Sequence, residues 1–225
     1  MTRAHATRVP ASDDPLLACL GLTLGFALLC LWRLWLPSGP YFDEIHYLPA
    51  ARELLTGFDY RNPEHPPLGK EIIAAGIWLL GDNPWGWRIF SALAGTLALF
   101  AGMRALWHAS HSRDATLAYG VLLATGFLLF VHAQIAMLDI FMAAFFLTAL
   151  WLFASACRQR REPRARLDLI ASGIALGLSM AAKWNAVPLA PLLGLFFLAM
   201  RIHAGTSRER FADGDASPVR GVSLV

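Results

Sequence analysis

The chain has 225 residues, 56% of them hydrophobic, and 19 Lys and Arg against 16 Asp and Glu give a formal net charge of +3. Mean hydropathy is +0.49, and the apolar residues fall in blocks, which points to a membrane protein and away from a soluble domain of roughly 45–50% apolar composition. The basic pI near 9.0 is no nucleic-acid signature, because most arginines flank apolar blocks, and Cys19, Cys30 and Cys157 show neither metal-ligand spacing nor a disulfide framework.

Residues 1–15 are polar and lead into Leu16–Leu36. That run is too long for the apolar core of a cleavable leader, so it reads as a retained anchor, with Arg33 snorkelling to the interface. Further spans are predicted at Arg88–Trp107, Ala115–Val131, Ile140–Cys157, Leu167–Ala182 and Val187–His203. Lys70–Leu80 carries about half the roughly 20 apolar residues a crossing needs, which suits an interfacial or re-entrant helix. Charge agrees. With six spans, 13 of the 19 cations fall on the side of the termini and 6 on the other, and Arg158–Arg166 is the densest run. The positive-inside rule then puts both termini in the cytoplasm and residues 37–87 in a long outer loop. A crossing by Lys70–Leu80 would move Arg158–Arg166 outside. Residues 204–225 form a polar tail, expected to be disordered.

Every outer turn then contributes charge near a span end. The first carries Asp43-Glu44-Ile45-His46-Tyr47 and His65-Pro66-Pro67-Leu68-Gly69-Lys70. Arg88 opens the second span, Asp139 lies between spans three and four, and Lys183 between five and six. Within the loop, Leu48–Leu55 predicts a short amphipathic helix, with Pro49 near its start, Gly57 as its stop, and Ala51, Leu54 and Leu55 on its apolar side. Asn62–Pro67 is too proline-rich for a helix. Gly81-Asp82-Asn83-Pro84 breaks the next helix, and Trp85 and Trp87 suit the interface.

These groups match the needs of sugar transfer from a polyprenyl phosphate to a hydroxyl. A carboxylate, Asp43 or Glu44, can act as general base. Lys70, Arg88 and Lys183 can stabilise the leaving phosphate. Plainer readings stand beside this one: solvated loop acids, an ordinary surface His65, snorkelling cations, and an Asp139 ion pair with Lys183 or Arg88 that is structural only. A metal is left open. Asp43, Glu64 and His65 offer oxygen and nitrogen ligands without a fixed two-ligand spacing. A transporter would place charge along the bilayer path, whereas here it gathers at one rim.

Phe42-Asp43-Glu44-Ile45-His46-Tyr47, His65-Pro66-Pro67-Leu68-Gly69-Lys70 and the run from Arg88 to Gly95 resemble the protein O-mannosyltransferases. Met137-Leu138-Asp139 and Lys183-Trp184-Asn185 look like later landmarks in the same order. The resemblance covers about residues 16–203 and extends to the wider polyprenyl-phosphate glycosyltransferases. It implies an all-α GT-C fold of about six transmembrane helices here, with a long first periplasmic loop carrying juxtamembrane helices. It further implies an integral-membrane enzyme of the cytoplasmic (inner) membrane. That enzyme moves a sugar, with inversion, from a polyprenyl-phosphate donor to a hydroxyl acceptor such as protein Ser/Thr at the outer face. Asp43 matches the proposed base, with Glu44 beside it. His65 and Lys70 match groups around the acceptor and lipid phosphate, and Arg88, Asp139 and Lys183 support the same rim. Family enzymes usually carry further spans, so the resemblance also implies an alternative: a split-enzyme membrane subunit needing a second chain for the missing helices.

Overall fold

The computed structural model describes residues 13–57, 62–159, 162–199 and 202. The expected tail 204–225, and the N-terminal segment up to residue 12, lie outside these. The described chain is helical: α1 Leu16–Leu31, α2 Glu44–Thr56, α3 Leu68–Leu80, α4 Pro84–Ser110, α5 Arg113–Thr125, α6 Phe127–Gln134, α7 Leu138–Arg158 and α8 Glu162–Ala182. A last helix, α9, covers Trp184–Ala199, and its first turn, Trp184–Leu189, is a 3₁₀ helix containing Pro188.

Three helices, α4, α7 and α8, are long and apolar enough to cross a membrane. Together α5 and α6 form a fourth candidate, bent by 56°, while α1 and α9 are shorter apolar helices. The continuous span expected at Ala115–Val131 is therefore a broken one. Gly126 sits in extended conformation at the break, with φ −64° and ψ 116°, where glycine's poor helix propensity offers little resistance. The apolar residues exposed around the bundle, such as Leu24, Leu28, Phe127, Ile170 and Phe196, form the surface a bilayer would cover.

Two short helices lie between α1 and α4. α3 has 13 residues, about 20 Å at 1.5 Å per residue, short of the roughly 30 Å hydrocarbon core. α2 also has 13 residues and starts four positions before the predicted Leu48. Pro49 lies inside it, so the bond that residue 49 would donate to the Ile45 carbonyl is missing. Its buried face is Glu44, Tyr47, Leu48 and Ala51, a helical i, i+3, i+4, i+7 stripe, whereas Leu55 is exposed. The stop signals act as read: Gly57 takes the left-handed conformation at φ 75°. Asn83 caps α4, its side chain accepting from the Trp85 and Gly86 N–H groups ahead of Pro84 at the first position.

α4 is the centre of the bundle, touching α1, α3, α5, α6 and α7. Close contact with α3 depends on missing side chains: a Cβ on Gly76 would lie 2.2 Å from the Gly86 carbonyl oxygen. On the other side, a Cβ on Gly95 would lie 2.5 Å from the Ala133 methyl of α6. Such contacts fix the height at which α4 presents Arg88 to the outer loop.

Candidate active site

Asp43 and Glu44 are neighbours in sequence, yet the fold treats them oppositely. Glu44 opens α2 and is fully buried. Its two oxygens accept from Arg88 Nε and Nη2, both at 2.7 Å. They also accept from the backbone N–H of Ala136 and of Tyr41, both at 2.8 Å. Arg88, equally buried, spends its remaining donors on the carbonyls of Leu34, Pro37 and Gly39. This is a saturated, bidentate pair that ties α2 and α4 to the turn after α1 and to the α6–α7 connection. The expected base role of Glu44 and phosphate role of Arg88 do not fit this geometry: Glu44 has its acceptor capacity filled, and all five N–H donors of Arg88 are committed.

Asp43 is half-buried and makes no capping bond to α2. Tyr47, one turn later, donates from its hydroxyl to Asp43 Oδ2 over a long 3.4 Å. The Tyr47 ring meets His65 edge-on, centroids 6.0 Å apart. Burial first, then the charges of Asp43 and Asp139, push the Tyr47 phenol above its usual range, so it stays protonated. Burial first, then Lys183 and Lys70, hold the His65 imidazole below its usual range. The Tyr47 contacts join Asp43 and His65, and Asp139 and Lys183 lie near enough for their charges to bear on Tyr47 and His65. Tyr47 was not among the expected site residues, although its i+4 spacing from Asp43 carries the signal.

Lys183, in extended conformation just before α9, donates to both Asp139 oxygens at 2.7 Å. Of the two expected partners for Asp139 it is Lys183, not Arg88. The Lys183 side chain keeps 12% exposure and that of Asp139 29%, so the pair borders solvent. Lys70 is fully buried instead, and its ammonium donates to the Asn62 and His65 carbonyls. It braces the proline-rich segment that carries His65 rather than lining open space. Among the described residues no group of three or more His, Cys, Asp or Glu is placed to hold a metal ion, so Asp43, Glu64 and His65 are not gathered into one.

In the α3–α4 turn, Asp82 acts as a lock. It accepts both guanidinium bonds of Arg52, at 2.8 and 2.9 Å, and one from Trp87 Nε1 at 2.6 Å. Trp87 is thus buried against the protein, while Trp85 stacks on Trp35 near the surface.

Residues 64–213 match the dolichyl-phosphate-mannose-protein mannosyltransferase family. The chain belongs to that family. A polyprenol-phosphate-mannose–protein mannosyltransferase of Corynebacterium glutamicum is 32% identical over 83% of this chain and 43% of its own length. Among solved structures, the Saccharomyces cerevisiae Pmt1–Pmt2 complex bound to the sugar donor superposes with a TM-score of 0.73, at 24% identity over 85% of this chain and 28% of that one. Apo ArnT from Cupriavidus metallidurans gives 0.66, at 22% identity over 85% and 37%. Both likenesses support the GT-C membrane fold. The chain spans less than half the length of these mannosyltransferase-family relatives.

Proposed function

We propose that this chain carries the catalytic rim of a membrane glycosyltransferase that moves a mannosyl group from a polyprenyl-phosphate donor to a hydroxyl, that of a protein Ser or Thr. The observation that carries the reading is the contrast between Asp43 and its neighbour. Of two adjacent acids, Glu44 is saturated, and Asp43 is held beside Tyr47 at a rim that also presents Lys183. Asp43 takes the proton of the acceptor hydroxyl as its oxygen attacks the anomeric carbon. The bond from that carbon to the phosphate oxygen breaks on the opposite face, so configuration inverts and polyprenyl phosphate leaves. Lys183 stabilises the leaving phosphate: two of its three N–H donors meet Asp139, and the third has no partner among the described residues. His65, kept neutral at the same rim, lines the acceptor side. No step in this reading calls on a metal. The cation bias of the sequence supports a cytoplasmic-membrane protein with both termini inside and this rim facing outward.

The likeness to the two-chain Pmt1–Pmt2 complex favours a second reading, a subunit that binds polyprenyl phosphate and needs a partner membrane chain. Reconstitution in nanodiscs with polyprenyl-phosphate-mannose and a Ser/Thr-rich acceptor separates the two. Transfer by this chain, lost in Asp43→Asn by about a hundredfold or more with an unchanged melting temperature, is the expected result. Full turnover by Asp43→Asn would remove the base role. Donor binding without transfer, restored by a co-purified membrane protein, would establish the second reading.

A further inference from the structure

At the end of the bundle opposite Asp43, helices α4, α5, α7 and α9 enclose a cavity of about 1190 Å³. α4 and α7 both run from the candidate site, at Arg88 and Asp139, to this end, at His108 and Arg158. The cavity is therefore a span's length from the chemistry. Its floor is α4, where Ala105 and Ala109 present only methyl groups and where Tyr119 of α5 packs on Gly102, a Cβ there lying 2.7 Å from the Tyr119 hydroxyl. Its walls are apolar, built from residues such as Phe146, Leu150 and Phe153 of α7 and Leu192 and Phe196 of α9.

Polarity in the lining is segregated. His108, Arg158 and Gln159 stand together where α4 and α7 end. Arg158 is exposed and donates one bond, to the Ala109 carbonyl at 3.2 Å. Its other N–H groups have no partner among the described residues. In sequence it opens the most cation-dense loop of the chain. Along α7 the lining runs from Phe146 to Gln159, about 20 Å, or a little more than one leaflet's half of a hydrocarbon core of roughly 30 Å. The volume exceeds the roughly 300–1,000 Å³ of ordinary small-molecule pockets.

An apolar slot one leaflet deep, closed at its water end by a cation and hydrogen-bond donors, matches a single amphiphile. We propose that this cavity binds one anionic phospholipid. Its acyl chain lies between α4, α7 and α9, and its phosphate rests on Arg158 beside His108 and Gln159. The site is independent of the transfer chemistry and would anchor α9, which otherwise meets α7 through Phe153 against Phe196 and Phe197.

Cys157 lines the cavity and is half-buried, whereas Cys19 and Cys30 are fully buried, so thiol labelling reports on this place. The purified chain in detergent is titrated with phosphatidylglycerol or phosphatidylcholine. Maleimide labelling of Cys157 is timed, and retained lipid is counted by native mass spectrometry. Phosphatidylglycerol is expected to slow labelling about tenfold, roughly the 1.4 kcal/mol of one charge-assisted contact, at concentrations where phosphatidylcholine does not. Arg158→Gln should erase the difference between the two lipids. Ala105→Phe, which fills the floor and keeps the charge, should lower the retention of both. Equal protection by the two lipids, retention unchanged in both variants, or a co-purified polypeptide shielding Cys157 in place of lipid would overturn the proposal.

Discussion

Two charge clusters at the same end of the bundle follow different rules. The Glu44–Arg88 pair is fully buried and saturated, and it ties four segments together. The rim pair Lys183–Asp139 touches solvent and joins only two segments. Asp43, adjacent to one cluster in sequence, belongs to the other in space. A charge whose hydrogen-bonding capacity is filled inside the fold works for the fold. A charge with capacity left over at a water-accessible edge is the one that can meet a substrate.

The sharpest way to break this comparison is to remove one member of the buried pair. Arg88→Met leaves Glu44 charged and buried without its partner and should cost about 3–5 kcal/mol of stability, read as a large fall in melting temperature in detergent. A fold that tolerates it would mean that the clamp is not structural. Next comes Gly86→Ala, two residues before Arg88. A Cβ there would lie 2.1 Å from the Gly81 carbonyl oxygen, and the overpacking should cost about 1–3 kcal/mol by shifting α4 against α3. Its transfer activity should fall with stability, because Arg88 rides on the same turn.

Lys183→Met should behave in the opposite way. The pair is only partly buried, so leaving Asp139 without its partner should cost about 1–3 kcal/mol, less than breaking the fully buried pair. The KM for the polyprenyl-phosphate donor should rise well beyond what that loss explains. Unchanged donor kinetics would return the pair to a purely structural role. The smallest effect concerns His65. Its folded pKa lies below the ordinary 6.5, so the unfolded chain binds the proton more readily. Stability from this group is complete above pH 6.5 and is lost as pH falls below it. His65→Asn should therefore flatten the decline in melting temperature between pH 7 and 5, and an unaltered slope would show that another group causes it.

Local signals were legible wherever one residue's own backbone chemistry decides the outcome. Gly57 and Gly81 stop their helices as read, whereas α4 starts at Pro84 behind the Asn83 cap, four residues before the expected Arg88. The start of α2 was missed because Pro49 looked like a first-turn proline, and burial of Glu44, Tyr47 and Leu48 outweighed the one hydrogen bond it forfeits. The break at Gly126 was missed because hydropathy is blind to a bend between two apolar halves. Gln134, which crosses to the carbonyls of Cys30 and Trp32 at the end of α1, gave no periodic signal, because its partners lie about 100 residues away.

By itself the sequence determined a helical membrane bundle, the gathering of its loop charges at one rim, and the motifs that mark the family. Those depend on composition, apolar run length and short strings, which are properties of neighbours along the chain. Which acid is available was decided only by tertiary structure. Asp43 and Glu44 are equivalent in charge and one position apart, but α2 turns one toward Arg88 and the Ala136 N–H and leaves the other beside Tyr47. Burial and hydrogen-bond saturation are set by partners that arrive from far along the chain, so folding alone separates the two carboxylates.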